Sequence, residues 1–161
     1  MTAPPSLLSS LRAIFCSILL AATPAQAGGL PAASDLRAEA QSAAQQQRVL
    51  VLLYTRADCP YCETVRRQYL APLVARQDPR LTVREIRIDE TAPLTDFQGR
   101  ASNHADFARQ EKIRFVPVVA FHGPQGQSLG APLVGTLIAD FYASYLDTRL
   151  NEAQACLPSR P

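Results

Sequence analysis

Cys59-Pro60-Tyr61-Cys62 sets two thiols three positions apart, a spacing at which they can pass two electrons to the cysteines of another molecule. The same pair could also be half of a zinc site or a structural bridge, and its surroundings separate these readings. The stretch before it, Val49-Leu50-Val51-Leu52-Leu53-Tyr54, is a continuous apolar run of strand length and type. The stretch after it, residues 63–75, reads as a helix. A helix that starts near Pro60 puts the Cys59 sulfur at its open N-terminal end, where unpaired N–H groups and the positive end of the helix dipole favour a thiolate. Cys62, one turn further in, is expected to be more buried and to serve as the resolving thiol.

A metal-binding module is the reading from a different class, with Cys59 and Cys62 joined by His104 or His122. Zinc normally takes four ligands, and a second ligand pair at comparable spacing is missing. His122 falls in a hairpin turn and His104 near a helix start, so both read as surface residues. No metal and no cofactor is therefore expected.

The first residues have the layout of a leader. Arg12 and the amino terminus give a weakly positive start, residues 13–22 are apolar, and Ala25-Gln26-Ala27 supplies the small residues of a cleavage site. The apolar stretch 7–22 is interrupted by Ser9, Ser10, Arg12 and Ser17 and falls short of a membrane span. Residues 1–27 are thus expected to be a cleaved signal peptide, which places the protein in the periplasm and its thiols where disulfide chemistry is usual. Of the formal net charge of +2, one unit, Arg12, leaves with the leader. A remainder near +1, with alternating signs, gives no electrostatic footprint for nucleic acid. Cys16 is removed as well, leaving Cys59, Cys62 and an odd Cys156 in a flexible tail, residues 153–161. A frayed, inert cysteine is the plain reading of that third thiol.

The remaining elements must position the pair. Ser34-Asp35 followed by residues 36–47 reads as an N-capped helix, so that residues 28–48 form an N-terminal helical extension. Pro72 removes a backbone hydrogen bond from the helix after the cysteines, and a kink is expected near residues 68–70. Residues 81–88 carry apolar side chains at 81, 83, 86 and 88, which suits a strand without strict alternation. Two strands joined by a helix are expected to be parallel with a right-handed crossover. Residues 89–101, with Pro93 and Gly99, read as a loop over the face that carries the cysteines. Ser102 caps a short helix, 103–112, with Phe107 inward. Residues 115–121 form a strand, 122–126 turn the chain, and 127–134 pair back as a hairpin. A closing amphipathic helix over 137–150 has Leu137, Phe141, Tyr145 and Leu150 among its apolar positions. Tyr54, Phe97 and Phe115 read as core or loop anchors, with Phe97 in the loop that could border the site.

This order, a CxxC closing the first core strand and an apolar X-Pro opening the third, resembles the thioredoxin-like superfamily over residues 35–150. Thr95-Asp96-Phe97-Gln98-Gly99, a helix, and then Ile113-Arg114-Phe115-Val116-Pro117 look most like exported bacterial thioredoxins of the SoxW type. The resemblance implies an α/β thioredoxin fold over residues 49–152. Its central mixed sheet would hold two parallel strands plus an antiparallel hairpin, flanked by helices with the N-terminal helix extra. By position Cys59 matches the attacking cysteine and Cys62 the resolving one. Pro117 matches a cis-proline facing the disulfide, and Val116 the residue whose backbone pairs with the bound substrate chain. Pro60 and Tyr61 match the variable dipeptide that tunes the potential. The sequence agrees on Pro117, because a proline cannot donate to a central ladder and needs a special place at a strand's start.

Two positions depart from that pattern. Thioredoxins carry a buried aspartate six residues before the first cysteine, where Leu53 stands, and a tryptophan just before it, where Asp58 stands; the chain has no tryptophan. Cys62 would then lose its proton to water or to an inward-turning Glu63. Asp58 and Glu63 raise the pKa of Cys59, while the helix end, Arg56 and Arg66 lower it. The resemblance implies a monomeric thiol–disulfide oxidoreductase whose partners are client proteins with disulfides. A short domain without a large helical insertion or a dimerisation domain favours reduction, with a membrane electron donor for resetting. Donation of the disulfide to folding proteins, or isomerisation, is the alternative direction.

Overall fold

The computed structural model describes residue 1, residues 29–136 and residues 141–158. The expected leader cleavage lies outside them, as does Leu137. The element order is α1 (Leu36–Gln45), β1 (Val49–Thr55), α2 (Pro60–Thr64), a π-helical turn (Val65–Leu70), α3 (Ala71–Ala75), β2 (Leu81–Arg87), β3 (Pro93–Thr95), β4 (Ala101–Asn103), α4 (His104–Gln110), β5 (Val118–His122), β6 (Leu133–Val134) and α5 (Tyr142–Ala155). The main sheet runs β2-β1-β5-β6, with β1 and β2 parallel and β5 antiparallel to β1 and to β6. This is the mixed sheet flanked by helices that the sequence implies.

All seven residues of β1 are buried, which is why its run is continuous and not alternating. Val49, Val51 and Leu53 pack with Val65, Leu70, Leu146 and Leu150 on the face covered by the cysteine-bearing helix and α5. Leu50, Leu52 and Tyr54 pack with Leu36, Ala40 and Phe107 on the face covered by α1 and α4. Asp35 caps α1 by accepting from the Ala38 N–H at 2.9 Å, and the segment before it pairs with β2 through Ala33 N–H to the Glu85 carbonyl. The N-terminal extension therefore adds a stretch of edge pairing as well as a helix.

Local chemistry moved several boundaries. Pro72 has no N–H to give, and the helix before it widens into a π turn in which the Ala71 N–H reaches the Arg66 carbonyl five residues back. Residues 89–101 are not wholly a loop, for they include β3, and β4 begins at Ala101 to pair with it. Asn103, not Ser102, caps α4, since its side chain accepts from the Asp106 N–H at 2.9 Å. In the closing helix Leu150 is inward as the sequence predicts, but the earlier turns face one residue away from the predicted positions. Phe141 and Tyr145 are exposed, whereas Tyr142, Leu146, Leu150 and Ala153 are buried, because only that i, i+4 series stays apolar where the other reaches Arg149. Helix α5 also continues through Ala155, past the expected start of the tail, with exposed Cys156 at its C-cap.

Asp78 ties the α3–β2 turn to α5. It accepts from the Arg80 N–H and guanidinium at 3.1 and 3.0 Å, and Arg80 donates onward to Asp147 at 2.7 Å. The hydrogen bonds from the Arg80 side chain hold the Asp78 carboxyl below its ordinary pKa. A depressed carboxyl contributes stability that is fully present above the unfolded value, begins to fade as pH falls below it, and is lost only as pH falls through the lower folded value. Asp78→Asn is expected to lower stability by about 1–2 kcal/mol at pH 7 and by less at pH 3, where the carboxyl is still ionised in the folded protein while most unfolded chains have taken up the proton, as read by urea unfolding at the two pH values.

Candidate functional site

Antiparallel register sets Tyr54 of β1 opposite Val118 of β5, so the segment leaving β1 and the segment entering β5 emerge at one end of the sheet. The first carries the cysteines, and the second carries Val116–Pro117, whose peptide bond is cis. Between Thr55 and Cys59 the chain turns through Asp58 at φ +52°, and the Ala57 N–H donates to the Asp89 carboxylate at 2.8 Å. That bond clips the cysteine loop to the chain following β2.

Cys59 is the N-cap of α2, extended at φ −111°, with its Sγ accepting from the Cys62 N–H at 3.2 Å. Pro60 follows at the helix start, where a missing N–H costs nothing. Cys59 and Cys62 form a disulfide of 2.05 Å. Cys62 is 1% exposed and Cys59 is half-buried, so one sulfur can be reached from outside and the other waits behind it. The N-terminal N–H groups of α2 favour negative charge on Cys59 when the bond is reduced.

Tyr61 and Phe115 are 65% and 76% exposed. Phe115 thus corrects an expectation: the strand begins at Val118 and not at 115, because Pro117 has no N–H to give to the ladder. Phe97 does not border the site. It is buried against Phe107 and against His122, and His122 pairs with Leu50 near the start of β1, at the far end of the sheet from the cysteines. Val116 lies outside the strand pairing, while the Pro117 carbonyl accepts from the Gly135 N–H at 2.8 Å.

A cavity of about 580 Å3 opens beside Cys59, walled by Arg56, Asp58, Glu63 and Arg66 among others. Glu63 does not turn inward toward Cys62; it forms an ion pair with Arg66. Arg66 in turn grips Glu85 of β2, which is 3% exposed and also accepts from the Thr55 hydroxyl at 2.6 Å. The hydrogen bond to Glu85 keeps the Arg66 guanidinium above its ordinary pKa. Sequence reasoning missed Glu85. The signal was present, since Leu81, Val83 and Glu85 are the buried period-two face of β2 and a carboxylate there breaks the apolar series.

The family model of the thioredoxin-like domain matches residues 36–149. The chain belongs to that family. The thioredoxin-like fold is shared with a poplar thioredoxin h at 13% identity, over 72% of this chain and 95% of that one, with a TM-score of 0.50. It is shared likewise with a thioredoxin pre-protein of Schistosoma mansoni, solved in the reduced state, at 15% identity over 77% and 97% with a TM-score of 0.50. No curated protein matches the chain significantly. A thioredoxin-like domain with Cys59 and Cys62 bonded at a helix N-terminus supports thiol–disulfide oxidoreductase chemistry in general.

Within this thioredoxin-like domain the two histidines are both buried, not on the surface as expected. His104 accepts from the Arg87 N–H at its Nδ1, 3.1 Å, and its Nε2 lies 2.8 Å from the Ala33 carbonyl. His122 bonds the Gly126 carbonyl at 3.0 Å, and burial pushes its pKa down. Among the described residues no group of three or more His, Cys, Asp or Glu could hold a metal ion. No helix among them is long and apolar enough to cross a membrane.

The left-handed backbone at Asp58 yields a stability prediction. A β-branched residue is poorly tolerated at φ +52°, where glycine and, less freely, Asp or Asn fit. Asp58→Val is expected to cost about 1–2 kcal/mol and Asp58→Gly nothing or a slight gain, measured by thermal unfolding of the oxidised proteins.

Proposed function

We propose that the protein is an exported thiol–disulfide oxidoreductase that reduces disulfides of client proteins in the periplasm. The observation that carries this reading is the Cys59–Cys62 disulfide, one sulfur accessible and one buried, at the sheet end that also presents Val116 and cis Pro117. In the reduced protein Cys59 acts as the thiolate nucleophile and attacks one sulfur of a client disulfide. A mixed disulfide forms, and the displaced client sulfur leaves as a thiolate that takes a proton from water. Cys62 then loses its proton and attacks the Cys59 sulfur, releasing the second client thiolate. Two electrons have passed to the client, and the protein is left oxidised at 59 and 62.

The client chain lies against Val116 and Pro117. The Val116 backbone, free of the sheet ladder, suits an extended segment, and exposed Tyr61 and Phe115 suit apolar side chains beside the client cysteine. No large helical insertion interrupts the chain between Cys62 and Pro117, which supports a reductase over an oxidant. Resetting calls for a dithiol donor held at the membrane. Residues 95–99 and 113–117 support a place among the exported thioredoxins of the SoxW type, working as a monomer.

The reduced protein is expected to cleave a model protein disulfide. Cys59→Ser is expected to be inactive, and Cys62→Ser to accumulate a mixed disulfide visible on a non-reducing gel. The proposal is sunk by a wild type that cleaves no faster than Cys59→Ser. Rapid thiol trapping in intact cells reads the direction, a mostly reduced pair supporting the reductase and a mostly oxidised one overturning it.

A further inference from the structure

The chain Glu63–Arg66–Glu85 runs from the residue after Cys62 down to the sheet, and nothing in the exchange reaction described above uses it. Glu85 stands beside Leu53 in the parallel register, on the sheet face that packs beneath the cysteine-bearing helix. Its carboxylate is buried, fastened to Thr55 at the end of β1, and paired with Arg66. Arg66 follows Cys62 by four residues, about one helical turn of roughly 5–6 Å, and it walls the same cavity as Cys59. A buried ion pair costs several kcal/mol in desolvation and is weak evidence for stability alone. An arginine held by two carboxylates beside a redox pair fixes a set of charges where a thiolate forms.

We propose that Arg66, Glu85 and Glu63 act as one electrostatic unit that sets the reactivity of the reduced thiols, with Arg66 favouring the thiolate and the two carboxylates opposing it. These are positioning residues: Glu85 and Glu63 act through Arg66 and through the field at the sulfurs. The other charges facing the site are Arg56, Arg67 and Arg87 against Asp58, Asp89 and Glu90, and Arg67 lies 3.7 Å from Glu63. Arg56 and Asp58 flank the cysteine loop, and Arg87 is paired with Glu90 at 2.7 Å. Asp89 is engaged by the Ala57 N–H. The triad sets two carboxylates against one guanidinium, with exposed Arg67 offsetting Glu63 at its outer end, and its buried member, Glu85, is screened least by salt.

The inference rests on Cys59 and Cys62 being the reactive pair, but its test does not need a client. Cys59 in the fully reduced protein is alkylated with iodoacetamide across pH 4 to 10, and the rate is followed by peptide mapping that distinguishes Cys59 from Cys62 and Cys156. Removing one charge at such range changes the thiolate equilibrium by about tenfold, or about one unit on the pH axis. Arg66→Met is expected to move the profile to higher pH, and Glu85→Gln to lower pH. A merely structural network would loosen in both variants and move both profiles the same way, or move neither; either result overturns the proposal. Should Arg66→Met or Glu85→Gln fail to fold, Glu63→Gln takes their place, because the Glu63 side chain is half-exposed, at 47%. A downward shift there supports the proposal, and an unmoved profile overturns it. If the protein reduces no client at all while these profiles still diverge, the functional reading has failed and the electrostatic one has not.

Discussion

Because every residue of β1 is buried, its backbone has to be paired on both sides and its side chains covered on both faces. Parallel β2 and antiparallel β5 meet the first demand. The two apolar clusters meet the second. From this follows the place of the site. A strand locked on four sides has one direction in which to release the chain, past Thr55, and the antiparallel neighbour must enter at that same end. The cysteine loop and the cis Val116–Pro117 bond are thus brought together by ladder register, although 54 positions separate Cys62 from Val116 in the chain.

The first turn of α2 converts that placement into chemistry. Cys59 caps the helix with its own sulfur, and the orphan N–H groups that any helix start must satisfy fall on the atom that has to carry charge. Cys62, one turn in, is buried by the same geometry. Beyond Pro60 at the start, the π turn before Pro72 seats the helix on Leu53 through its own Val65 and Leu70. Leu53 and Asp58 stand where the resemblance implies an aspartate and a tryptophan, and the structure sets a buried carboxylate one strand away, at Glu85.

Much of this was legible in the residues. The apolar run 49–54, the CxxC, the N-cap at Asp35 and the X-Pro at 116–117 each carry a local cause that acts wherever the chain is placed: burial on two faces, thiol spacing, a side-chain acceptor, a missing N–H. Phe115, Phe97 and the histidines were not legible in the same way. An aromatic residue satisfies a core and a docking surface equally well by sequence, and a histidine reads as surface until the carbonyls that receive its ring are known, Ala33 for His104 and Gly126 for His122.

By itself the sequence determined the order of the main elements, though not β3 and β4, together with the redox pair and the proline that opens β5, because propensity, periodicity and motif spacing are properties of neighbouring residues. Only the tertiary structure decided which charges surround the thiols. Glu85 lies 23 positions beyond Cys62, and no pattern along the chain joins it to Arg66 or Thr55. Parallel pairing of β2 with β1 sets its carboxylate beside Leu53, and burial there is tolerable only with Arg66 reaching down from the helix above.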